Sequence, residues 1–88
     1  MPAARMTDKD KPYHPIPCAI YSEYELAIIR QHLLQLVWRD EDNIEHLGRI
    51  TPLDLQTESR AEFLIAQDHE KQQLKIRLDY IQQYRILS

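Results

Sequence analysis

The residues of this chain best suited to chemistry are carboxylates set beside tyrosines. Tyr21, Glu23 and Glu25 share one short stretch, and Asp40-Glu41-Asp42 form a second acidic cluster. Carboxylates flanking a tyrosine are charge-assisted acceptors that suit a basic groove on a partner. Covalent and metal chemistry fit the sequence poorly. His14, His32, His46 and His69 show none of the close spacings that build a metal site, and one cysteine leaves a zinc ligand set short. Cys18 lies between Pro17 and Ala19, outside any nucleophile motif, and reads as a small buried hydrophobe. With a single glycine the chain holds neither a phosphate-cradling loop nor a nucleophile elbow. A domain this small also leaves little room for a substrate pocket. From the residues, a metal site is improbable and an enzyme is the weakest class.

Charge points the same way. The 88 residues allow one small domain with one modest core, and carry a net charge of −3. From Ala19 to Asp79 there are twelve acids against seven bases. An acidic body repels phosphate and suits a basic partner. Direct RNA binding is the weaker rival. Trp38-Arg39 runs straight into Asp40-Glu41-Asp42, and Tyr80 and Tyr84 flank no basic cluster beyond Arg85. No apolar run approaches the length of about eighteen residues that a membrane span needs. Residues 1–12 mix both charges and lack the apolar centre of a signal peptide, so they read as a flexible tail before a single domain over 13–88. A lone cysteine fits a reducing cytoplasm.

The elements that position these residues follow from proline, capping and periodicity. Pro15 and Pro17 hold the stretch after Tyr13 extended. Ser22 and Glu25 have the spacing of a capping box, with Tyr21 and Leu26 as a hydrophobic staple, predicting a helix from Ser22 to about His32. Tyr24, Ala27 and Ile28 make one apolar stripe of that helix, and Leu26, Ile29 and Leu33 a neighbouring one. Period-two alternation then predicts strands over 34–39, 44–51, 61–65, 71–79 and 80–87, with a polar turn at 40–43 and a loop at 56–60. Gly48 marks a bend or a close backbone approach, and Pro52 breaks its ladder. In the strand over 71–79, Leu74, Ile76 and Leu78 are expected to face in, and Lys75, Arg77 and Asp79 out. One helix followed by short antiparallel strands suggests a mainly β fold, a small and strongly bent barrel plugged by the helix.

The stretch YHPIPCAIYSEYELA resembles the start of the Rho-binding antiterminator family. Tyr13, Pro15, Ile16, Cys18, Tyr21, Glu25, Leu26 and Ala27 match its opening pattern, and Ile76-Arg77-Leu78-Asp79 matches its Leu-Arg-Leu-Asp run. The likeness spans roughly Tyr13 to Tyr84. Ala19, Ile20 and Ser22 stand where the family pattern has acids. The resemblance implies an Sm-like barrel behind an N-terminal helix, with no cofactor and no catalysis. It also implies a protein that binds the termination factor Rho at its primary RNA-binding region and blocks RNA loading. Tyr21, Glu23 and Glu25 are the expected contacts, with Asp40, Glu41 and Asp42 steering from the rim. An Sm-like RNA-binding module, or an adaptor for another basic protein, remains open.

Overall fold

The computed structural model describes residues 12–87. One helix, α1 (Cys18–Arg30), precedes five strands: β1 (Leu33–Arg39), β2 (Glu45–Glu58), β3 (Ala61–Gln67), β4 (Gln73–Arg77) and β5 (Ile81–Leu87). A 3-10 turn, Leu78–Tyr80, links β4 to β5. All ladders are antiparallel, in one sheet ordered β4-β3-β2-β1-β5. The mainly β architecture behind a leading helix matches the sequence reading. The sheet is not closed: β4 and β5 are its two edges. The expected tail, residues 1–12, lies outside the described residues except for Pro12.

The helix begins at Cys18, not at Ser22. Pro17 is extended (φ −58°, ψ 141°), and its carbonyl accepts the N–H groups of Ile20 at 3.0 Å and Tyr21 at 3.1 Å. No side chain caps this end, so Ser22 and Glu25 are interior residues and neither the capping box nor the staple forms. Pro17 explains the difference. It needs no N–H of its own, and nothing in Cys18-Ala19-Ile20 stops a helix from propagating back to it. The early start also turns Ile20 and Tyr21 toward the core. At the other end Gln31 is left-handed (φ 57°), and His32 N–H donates to Ala27 C=O at 2.9 Å, closing the helix with a Schellman bond. Only one of the two apolar stripes is used. Tyr24 and Ala27 are buried, while Leu26, Ile29 and Leu33 stay exposed.

β2 holds the sheet together. Its first half pairs with β1, from Arg39↔Glu45 to Leu34↔Ile50, and its second half with β3, from Thr51↔Gln67 to Glu58↔Ala61. The register shifts between Pro52 and Asp54, leaving Leu53 as the extra residue of a bulge. Pro52 does not break the strand as expected: it pairs with Ala66, and β2 runs on to Glu58 where a loop was read. Neither a bend nor a close approach requires Gly48: its φ is not positive, and a Cβ there would meet the Trp38 indole in ordinary contact at 3.9 Å. Because the sheet curls, Leu34 and Leu36 of β1, Ile50 of β2, Leu64 and Ala66 of β3 and Ile76 of β4 share one core with Tyr24 and Ala27. Leu64 and Ala66 join that core, and Phe63 and Ile65 are buried outside it.

The largest departure is Arg77. Alternation placed it outward, yet it is 1% exposed. Its guanidinium pairs with the Asp79 carboxylate (Nε–Oδ1 2.8 Å, Nη2–Oδ2 3.1 Å) and donates to the Pro12 carbonyl. The rings of Tyr13 and Tyr80 lie 5.4 and 4.9 Å from it. Asp79, likewise expected outside, also accepts the His14 N–H at 3.0 Å. The pair therefore pins the lead segment to the sheet. Removing one member leaves an uncompensated buried charge. Arg77→Ala should lower stability by about 3–5 kcal/mol in equilibrium denaturation, and Arg77→Met with Asp79→Leu should cost much less.

Turns are built without glycine. Ser59 (φ 50°) and Arg60 (φ 67°) occupy the two-residue β2–β3 hairpin loop, where both central residues need positive φ. A side chain in that conformation costs about 1 kcal/mol relative to glycine. Arg60→Gly should therefore raise stability by up to about 1 kcal/mol, read as a higher urea midpoint at unchanged slope.

Candidate partner-binding surface

Two hairpins use the same carboxylate turn. Asp40 Oδ1 accepts the N–H groups of Asp42 and Ile44 at 2.8 and 3.0 Å, and Asp68 Oδ1 accepts those of Glu70 and Gln72 at 2.8 and 2.9 Å. In each, the residue three positions on is left-handed, Asn43 at φ 62° and Lys71 at φ 64°. Such aspartates replace backbone partners that a tight turn lacks. Asp40 Oδ2 also lies 2.7 Å from His46 Nε2, and the His46 ring stacks on Trp38 with centroids 5.4 Å apart. Asp40 thus builds the hairpin. Glu41 and Asp42 are exposed beside it, at the end of β1 remote from the helix connection.

Other acids are spent inside the fold as well. Tyr84 donates a short hydrogen bond to Glu23 Oε2. Its ring meets Tyr24 edge-on at 5.2 Å, which fixes Glu23 on the β5 flank of α1. That bond, then burial, raises the Tyr84 pKa. Glu45 pairs with Arg39 at 3.6 Å, and Glu58 pairs with Lys75, whose ammonium lies over the Phe63 ring.

Glu25 stands on the opposite flank. It lines a groove with Tyr21, Ile28 and Ile29 of α1 and Asp54 and Leu55 of β2. Burial, then Glu62, Glu25 and Asp54, carboxylates from three elements, raise the Tyr21 pKa. Among the described residues Glu25, Asp54 and Glu62 make no ion pair. The groove encloses about 230 Å³, small for a metabolite but ample for one basic side chain.

The expected site is therefore divided. Tyr21 and Glu25 stay together, Glu23 faces away from them, and Asp40-Glu41-Asp42 form a separate turn. Asp54 and Glu62 were not foreseen. Asp54 between Leu53 and Leu55 was a local hint, but its place depends on α1 lying against β2. Cys18, read as buried, is exposed at the helix start. No group of metal-ligating side chains occurs among the described residues. No helix is long and apolar enough to cross a membrane.

Tyr13 tests the electrostatics beneath this surface. Burial, reinforced by Glu62 and Asp79 and opposed by Arg77, pushes its pKa up to about 12, and its hydroxyl has no hydrogen-bond partner among the described residues. An unfolded tyrosine ionises near 10. Between those values the unfolded chain releases a proton that the folded chain keeps, so stability falls as pH rises. Tyr13→Phe should leave stability at neutral pH within about 1 kcal/mol of the parent and flatten the loss above about pH 10, measured by urea unfolding across that range.

No protein-family model matches the chain. No curated protein matches it. Among solved structures it is similar to "Proteasome accessory factor B/C (PafBC) of Arthrobacter aurescens", with a TM-score of 0.71 and 16% identity. The match covers 85% of this chain and 12% of that one, and at this identity it shows the fold alone.

Proposed function

We propose that this chain is a non-enzymatic inhibitor of Rho-dependent transcription termination, acting in the cytoplasm. It binds Rho at the primary RNA-binding region and blocks RNA loading. The observation that carries this reading is the Tyr21 groove, which Glu25 and Asp54 line beside the tyrosine, neither with an ion-pair partner among the described residues. A basic side chain shaped to hold phosphate can enter it, with aliphatic walls for its stem. Glu23 contributes from the other flank, and Asp40, Glu41 and Asp42 supply long-range steering. The resemblance from Tyr13 to Tyr84 supports the choice of Rho. The leading helix and the two-ladder strand β2 support an Sm-like reading of the bent sheet.

A second reading, single-stranded RNA binding, has one observation in its favour. The Trp38–His46 stack lines a groove that also holds Arg49 and His69.

Binding of the full chain to purified Rho, and to RNA alone, separates the two. Glu25→Lys should weaken Rho binding by roughly 30-fold or more, as loss of a desolvated charge contact of about 2–5 kcal/mol implies. Glu41→Lys should mainly slow association and reduce its salt dependence. Absence of Rho binding by the parent chain refutes the first reading. RNA binding abolished by Trp38→Ala establishes the second.

A further inference from the structure

The outward face of α1 has no role in the fold. Opposite the buried Tyr24 and Ala27 run Ala19, Ser22, Leu26 and Ile29, all exposed. Their spacing of three, four and three is that of the a and d positions of a coiled coil. Ile29 is 74% exposed and Leu26 42%. Apolar side chains gathered on one exposed face mark an interaction surface.

The charges beside this seam say what covers it. Glu25 immediately precedes Leu26, and Arg30 immediately follows Ile29. These are the g and e positions, on opposite sides of the seam. Both are exposed, and neither forms an ion pair among the described residues. In two parallel helices a g residue faces the e residue five positions on in its partner. Glu25 of one copy then meets Arg30 of the other, and symmetry supplies the second pair. An antiparallel arrangement sets Glu25 on the same side as Glu25, and Arg30 as Arg30. The face carries both halves of its own complement, the requirement of a two-fold contact between identical chains.

We infer that α1 pairs in parallel with α1 of a second copy of this chain, burying Leu26 and Ile29 between two Glu25–Arg30 ion pairs. Ala19 and Ser22 let the helices approach at the other end of the seam. A helix of 13 residues does not pair well in isolation, but here the sheet already holds it folded. The seam shares Glu25 and Ile29 with the groove assigned to Rho, so one copy cannot make both contacts at once; the test uses the chain alone, and its outcome is independent of Rho binding.

Sedimentation equilibrium of the full chain from micromolar to millimolar concentration should show a reversible monomer–dimer equilibrium. Ile29→Asp should make it monomeric with an unchanged circular dichroism spectrum. Glu25→Arg or Arg30→Glu alone should weaken association about tenfold, and the two together should restore it to within about threefold. A parent chain monomeric throughout, a larger assembly, or a double variant no tighter than the single ones overturns the inference.

Discussion

A guanidinium cannot be buried in this domain unless every direction around it is satisfied, and meeting that demand at Arg77 fixes much of the fold. The Asp79 carboxylate, the Pro12 carbonyl and the faces of Tyr13 and Tyr80 enclose it. Two of those partners lie in the lead segment, which has no strand or helix of its own. Holding Pro12 to His14 against the end of β4 sets where Pro15 and Pro17 run, and so where α1 starts. From that start follows which helix face meets the sheet. An ion pair near one end of the sheet thereby decides the placement of the helix.

The acidity of the chain divides into two kinds. Asp40 and Asp68 fold hairpins, Asp79 neutralises Arg77, and Glu23 accepts from Tyr84. These carboxylates replace partners that the backbone or a buried group would otherwise lack. Glu25 and Glu62 do none of this, Asp54 accepts only the N–H of its neighbour Leu55 at 2.9 Å, and all three raise the Tyr21 pKa. Net charge alone conceals the difference. An acidic balance suggests a basic partner only through the carboxylates left over once the fold has used its share.

Strand order and most strand positions were legible because period-two alternation is a local property, and Leu34, Leu36 and Ile76 obeyed it. The failures came where a distant contact decided the outcome. The Ser22–Glu25 spacing gave a valid local signal, yet Pro17 set the helix start. Alternation sent Arg77 outward because nothing near it announced Pro12 and Tyr13 as its cover. In β3 alternation found the strand but could not say which face joins the core, and the curl of the sheet gave that place to Leu64 and Ala66. Tyr21 and Glu25 were found from sequence. Asp54 and Glu62 were not, because helix-on-sheet packing assembled that group.

The sharing of β2 between two ladders also bears on how the chain acquires its shape. β1–β2, β2–β3 and β3–β4 are joined by tight reversals, so each ladder can zip from its own turn. Only the β1–β5 ladder joins residues far apart in sequence, from Leu33↔Leu87 to Trp38↔Ile81, and it can form only once the sheet has curled. The entropy of closing that large loop falls on a single docking event at the C-terminal strand. During synthesis β5 leaves the ribosome after the other four strands. Until it arrives, the outer backbone groups of β1 face water.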